Sequence, residues 1–596
     1  MIDDARSRRA SRGIICPHVD LSLFPSPAQT HRLLSTACKR KAVGEDGIGG
    51  DIWALFADVL TPAIHPLLTK MLLAVEVPIV LKGGMLAELW KGKGSRCSIP
   101  SYRDIMIQDH PAKLLGACIR PHLRAAVELV SRPTQWGSGL HGGSTETGHL
   151  ALRAMMDIVR LQRCSGAVIF FDVVSAFATF RRRVVLDCDA SDESWLRLLV
   201  CLGFTSSEAS DIVCSACDKS IWEESGASNH LLSLLSECYQ STWFSTEGID
   251  GVVSFDSGSM AGTSPADLVF TLAMTKILNN LHCELAAKGL IATASCAGSE
   301  IAFHRHDMPP ESVVKLLDVS FVDDVALPVC SSADAIIDSI RNVSESALVA
   351  FARHGLELNF CPGKSECLIH WAGAGATTHR LRHMTHGAPC VPCRWPSGRI
   401  YELPISDSYK HLGTRTTFAP TAGAEAVIRS AIIHSEVRAL RRRVLSNSAV
   451  STQRRLSLAQ AMIFSRGLFQ ASSWAVVDGA PFRRLHTAVM SVYRCIAGAQ
   501  WDPDTAHLTD SHVLLSLGAP SAEVLLRRAR IMCFIRICSR GSPYLLRLLH
   551  AASTARGSWV SSVVKDLEWL AICSPDLNMS ASSPFSMWCK LVQADR

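Results

Sequence analysis

A chain of 596 residues is too long for one hydrophobic core and calls for roughly three to four domain-sized units. With 48% hydrophobic and 19% charged residues and a mean hydropathy of +0.19, the composition is that of a soluble globular protein. No window holds ~18 uninterrupted apolar residues, so neither a transmembrane helix nor a membrane partner is expected.

In chain order, residues 1–35 read as a lead-in. "MIDDARSRRASRG" lacks the apolar core of a secretory signal and suits a solvated end or a weak basic targeting tail. Residues 36–130 mix helical patterns with the Gly-, Lys- and Arg-rich loop "WKGKGSRCSIPSYRDI". "SGAVIFFDVVSAF" (165–177) predicts a buried strand running into a turn. Residues 182–255 look irregular, with Asp187, Asp189, Asp192 and Glu193 forming a solvated acidic loop. "SGSMAGTSPADLVFTLAMTKILNNL" predicts a Gly-containing turn and then a long amphipathic helix from Pro265 or Ala266. "VVKLLDVSFVDDVALPV" predicts two strands meeting at Asp323 and Asp324, followed by a helix over about 332–354 and a further turn and strand in "HGLELNFCPGKSECLIHW". From about 420 onward, Leu and Ala at helical spacing alternate with Arg. The 22 cysteines are scattered through apolar segments, which suits reduced thiols in an intracellular protein better than a disulfide framework.

Adjacent aspartates inside an apolar, β-prone stretch need an explanation, because unpartnered buried carboxylates cost several kcal/mol. One reading is an Asp-rich hairpin turn, with Asp172 a strand-end aspartate. The other brings the strand ending at Asp172 beside the Asp323–Asp324 turn. Three hard oxygen donors then make a site for Mg²⁺, and two such ions about 3.5–4 Å apart would activate a hydroxyl and stabilise a departing pyrophosphate.

The surrounding motifs favour the second reading. "KAVGEDGI", "PSYRDIMIQDHPAKLLGACIR", "QWGSGLHGGSTETGH", "FFDVVSAF", "SMAGTSPADLVF", "FVDD", "GLELNFCPGKSE" and "YKHLG" follow one another between residues 36 and 415. In that order they resemble the reverse transcriptases of non-LTR (LINE-like) retrotransposons. The resemblance implies an α+β right-hand polymerase: fingers over 36–164, a ferredoxin-like palm over 165–415 with insertions near 182–255 and 275–315, a basic helical thumb over 416–500, and a helical extension over 501–596. It implies an RNA-directed DNA polymerase that extends a DNA primer with dNTPs on an RNA template. Two Mg²⁺ ions (Mn²⁺ as a substitute) would act in the intracellular, nuclear compartment.

By the same resemblance Asp172 and Asp323 are metal ligands, with Asp324 in support, and Lys364 is a general acid near the pyrophosphate. Phe177 would lie under the incoming sugar and exclude a 2′-hydroxyl. Arg103 and Lys113, or alternatively Lys91 and Lys93, would neutralise the triphosphate. Gly262 would let the backbone approach the nascent base pair. Each has a plainer reading: a core phenylalanine, a solvated basic loop, a surface lysine in a Pro-Gly turn. The chain departs from the family at Met260, Ala261 and Thr263, where more polar residues are common, and at Ala178, where an Asp is common.

Residues 411–500 carry twelve Arg, no Lys and three acidic residues, a net charge of +9, which suits helices that follow phosphates or arginines that lie over leucine faces. His383, His386, Cys390 and Cys393 have a spacing that could bind zinc, while "APCVPCRWPSGR" also reads as a turn with buried thiols. Neither an endonuclease-like acidic set nor a ribonuclease H pattern is recognisable, so a polymerase core alone is expected, as a fragment of a longer element protein or a decayed copy.

Overall fold

The run "SGAVIFF" lacks the alternation of a one-sided strand and therefore requires a sheet covered on both faces. In the computed structural model, the described residues are 18–38, 40–92, 94–188, 190–296, 303, 313–384, 389–498, 508–577 and 579–594. In chain order the strands are β1 (Gly83–Trp90), β2 (Tyr102–Ile107), β3 (Ser165–Phe171), β4 (Thr242–Ser245), β5 (Val253–Phe255), β6 (Thr293–Ser295) and β7 (Val313–Lys315). They continue as β8 (Val319–Phe321), β9 (Asp324–Ser331), β10 (Glu366–His370), β11 (Cys390–Arg394), β12 (Ile400–Pro404), β13 (Tyr409–His411) and β14 (Thr414–Thr416). The fold is α+β.

The central sheet has the order β10-β3-β9-β8, and every neighbouring pair is antiparallel. The chain passes from β3 through the helix Ala266–Ala287 to the β8–β9 hairpin, then through the helix Ile336–Arg353 to β10. Ala167, Ile169 and Phe171 of β3, with Val325, Leu327 and Val329 of β9, join the core that includes these two helices. Val168, Phe170 and Ala326 point the other way, into a core with the helix Thr145–Leu161 and the C-terminal helices. Two covered faces explain why β3 is buried at every position. They also correct the expectation of an amphipathic helix over 266–287: that helix is buried on nearly all sides, from Leu268 to Leu285.

A second sheet, β2-β1-β4-β5, carries one parallel pair, β1 with β4. The stretch 182–255, expected to be irregular, contains the helices Glu193–Cys201, Ser206–Ala216, Ser220–Ser225 and Asn229–Cys238. Local capping explains two of them and buried tryptophans the other two. Thr205 and Glu208 form a reciprocal capping box, Ser228 caps the last helix, and Trp195 and Trp222 anchor the segment by burial. In the expected acidic loop, Asp192 pairs with Arg183 and Glu193 with Arg197; Asp189 lies outside the described residues.

The expected boundary near residue 500 does not divide the cores. Val513, Ala522 and Leu526 pack with the helices Gly423–Leu440 and Gly479–Ala497. Residues from Cys533 to Cys589 share the core behind the central sheet. Tyr544, 7% exposed, accepts a hydrogen bond from Leu317 N (3.0 Å) and donates one to Lys315 O (3.0 Å), which ties the C-terminal helices to the approach to β8. No helix among the described residues is long and apolar enough to cross a membrane.

Candidate active site

β3 ends at Phe171, which pairs with Val325 of β9. Carrying that register one residue further sets Asp172 opposite Asp324, while Asp323 lies in the turn between β8 and β9. The turn is strained. Val322 has φ +61°, a left-handed conformation that a β-branched side chain disfavours. The neighbouring segment braces it: Trp136 N donates to Ser320 O (2.8 Å) and Ser320 N donates to Thr134 O (3.0 Å). Gly137 leaves the needed room, since a Cβ there would stand 2.7 Å from Val322 Cγ2 and 2.9 Å from Val322 N. The "QWG" motif thus supports the aspartate turn.

The carboxylates of the turn are under-satisfied. Burial pushes the Asp323 pKa up, and Asp172 adds to it, against the weaker pull of a backbone hydrogen bond and of Arg103 and Lys364. Burial likewise pushes Asp324 up, with repulsion from Asp323 and Asp172, to about 7. Asp172 is held differently. Lys364 Nζ lies 3.1 and 3.2 Å from its two oxygens, and Asn359 Nδ2 donates to Oδ2 at 3.1 Å. Its backbone is fixed as well: Asp172 N donates to Ser365 Oγ (3.0 Å), and Asn359 N donates to Asp172 O (2.7 Å). Tyr409, stacked on Phe170 with ring centroids 4.2 Å apart, donates to Lys364 O at 2.8 Å. Burial raises the Tyr409 pKa, and the nearby Asp324 and Asp172 raise it further.

A loop joins this site to β2. Gly258 N donates to Phe180 O and Ser259 N to Phe177 O, each at 2.8 Å, and Met106 N donates to Ala261 O at 2.8 Å. Gly262, at φ +101°, faces Met106 O at 2.6 Å and Ile105 Cγ2 at 2.9 Å from where a Cβ would stand. The close approach that the glycine permits here is to β2. Arg182, 1% exposed, clamps the loop by donating to Gly258 O (2.8 Å), Ser257 O (3.0 Å) and Tyr239 O (2.6 Å). Phe177 is half-buried and stacks on Phe270, centroids 5.0 Å apart.

Of the expected phosphate-neutralising residues, Arg103 is exposed on β2 with its charge acting on Asp323 and Asp324. Lys113 sits in the first turn of the helix His110–Val130, where its charge acts on His110. Lys91 follows β1, its N–H donating to Ser101 O, and Lys93 lies outside the described residues.

The donor chemistry fits Mg²⁺: hard oxygens, two of them under-satisfied. The arrangement is not closed around an ion, because Asp172 is turned to Lys364 and Asn359. Among the described residues no group of three or more His, Cys, Asp or Glu is placed to hold a metal ion. Among the described residues of the zinc spacing, the two cysteines do not converge. Cys390 and Cys393 are three apart on β11, hence on opposite faces, and burial pushes the Cys393 thiol up to about 12. His383 stacks on Trp371, and His386 lies outside the described residues.

Sequence reasoning assigned no role to Asn359, Ser365 or Tyr409, although all three stand inside quoted motifs. It also missed Asp318. This fully buried carboxylate accepts from Thr134 Oγ1 (2.9 Å) and His282 Nε2 (2.8 Å) and has Arg132 Nε at 3.5 Å. In the Arg-rich region, Arg438, Arg442, Arg443, Arg454, Arg483 and Arg484 are exposed, whereas Arg429 is buried against Glu425 and Arg455 caps Leu445 O and Ile496 O. No protein-family model matches the chain, and no curated protein matches it significantly.

Proposed function

We propose that the chain is an RNA-directed DNA polymerase of the non-LTR retrotransposon kind. One observation carries the reading: Asp172 at the end of β3 meets Asp323 and Asp324 at the β8–β9 turn, with Lys364 and Arg103 as the surrounding cations. The path β3–helix–β8–β9–helix–β10 with order β10-β3-β9-β8 is the β-α-β-β-α-β arrangement of a ferredoxin-like palm, which supports it. The loop over 258–262 links Phe177 to β2, so a sugar lying over Phe177 and a triphosphate near Arg103 would share one site.

In this reading Asp172, Asp323 and Asp324 would hold Mg²⁺, which when bound would polarise the attacking hydroxyl and neutralise the leaving pyrophosphate. Arg103 on β2 draws the anionic triphosphate toward the aspartates. Phe177, fixed against Phe270, sets the room beside the sugar. The exposed arginines of 438–484 take phosphates of the primer–template.

The test is primer extension on an RNA template with dNTPs and Mg²⁺, beside Asp323→Asn. Extension lost in the variant supports the reading; extension that persists contradicts it. A second reading, a nucleic-acid binder that no longer polymerises, is favoured by Met260, whose 6%-exposed side chain sits where a polar contact to nucleotide is expected. Salt-dependent binding of primer–template without extension would select it.

A further inference from the structure

Asp172 is the one carboxylate of the three with a cation in direct contact. Lys364 Nζ spans both of its oxygens at 3.1 and 3.2 Å, and Asn359 Nδ2 takes the remaining approach to Oδ2. An ammonium and a divalent cation cannot share those oxygens without repelling each other at short range. We propose that Lys364 is a place-holding cation: it occupies the divalent-metal position on Asp172 and must leave before metal binds, while Asn359 stays and keeps the carboxylate aimed. The proposal rests on the polymerase reading above.

The two partners differ in how they are tethered. Asn359 is bound through its backbone N–H to Asp172 O, and its Oδ1 accepts from Cys361 N at 3.1 Å, so it moves only with the strand end. The Lys364 side chain is 40% exposed on the turn before β10, free to swing outward on its flexible stem. Asp323 and Asp324 have no such partner among the described ion pairs, and no set of three ligands is assembled. A displaceable lysine accounts for that incomplete set: its departure frees the third carboxylate. Lys364 is therefore a positioning residue for Asp172 and a competitor of the metal.

The test is Mn²⁺ binding to the full chain without nucleotide, read from the loss of the free Mn²⁺ EPR signal. Wild type, Lys364→Met, Lys364→Gln and Asp172→Asn are compared. Expected is Asp172-dependent binding that tightens about two- to fivefold in both lysine variants, the range set by removing a half-exposed competing charge. Asp172-dependent binding that is unchanged or weaker in both lysine variants overturns the proposal and leaves the polymerase reading standing. Binding that is absent from every protein, or indifferent to Asp172→Asn, overturns the proposal and the metal site together.

Discussion

Asp318 and Asp324 lie six residues apart on either side of one hairpin strand, and the fold treats them in opposite ways. Asp318 is wholly buried. Burial alone would raise its pKa, but His282, Arg132 and Thr134 more than reverse this and hold it below the usual carboxylate range. Asp324 is only half-buried, yet it has repelling neighbours in Asp323 and Asp172 and no direct cation, and it is pushed up to about 7. A buried carboxylate that is fully partnered is a structural fixture. One left without partners beside two others repels them, and in the polymerase reading this is the position proposed for a cation.

The largest break in this comparison comes from Asp318→Ala, which strands Arg132 and His282 without their acceptor. It is expected to cost about 3–5 kcal/mol in denaturant unfolding; a loss within the surface range would mean that Asp318 is no anchor. Next is Tyr544→Phe, which removes the hydroxyl that joins Leu317 N and Lys315 O. A loss of about 1–3 kcal/mol is expected, with faster amide exchange at 315–318. Unchanged exchange there would show that the C-terminal helices do not steady the approach to β8. Smallest is Lys364→Met. Its half-exposed ion pair with Asp172 is worth at most ~1 kcal/mol, so the melting temperature should hardly move even though metal affinity does. A large drop would make Lys364 a structural element instead.

Much of the site was legible because its residues carry local signatures. The strand ending at Asp172, the hairpin at Asp323–Asp324 and the helix starting at Ala266 follow from apolar runs, turns and Gly or Pro punctuation. The order of motifs supplied the expected neighbours, and the antiparallel register sets Asp172 against the hairpin. What stayed hidden depends on distant pairing. Asp318 reads as another apolar-flanked aspartate until the fold brings Thr134 and His282 to it from 184 and 36 residues away. Arg182 stands in a run of three arginines, and nothing local separates it from its neighbours, yet it alone is buried against backbone carbonyls. The helices of 193–238 are short, and two of them are set by caps such as Thr205–Glu208 while the other two hold through the burial of Trp195 and Trp222, which only the fold provides. The shared core behind β3 could not be foreseen, since the C-terminal helices show only an ordinary helical pattern.

Asp324 ionises against its surroundings, whereas His282, Arg132 and Thr134 favour the ionised form of Asp318. The direct measurement is the pH dependence of unfolding for wild type and Asp324→Asn, without divalent cations. The folded pKa of Asp324, about 7, lies above its unfolded value of 3.8. The native state therefore binds the extra proton between these values, and the contribution of Asp324 to stability falls as pH rises from 4 to 7, then levels off. Asp318 contributes nothing to that slope, because its lowered pKa confines its effect to pH below about 4. Relative to wild type, Asp324→Asn should gain stability steadily from pH 4 to pH 8, up to a ceiling of about 4 kcal/mol and less where solvent screens the site. A variant that parallels wild type across this range, or loses stability at pH 8, would show that the Asp324 charge is satisfied by the fold and would contradict the account.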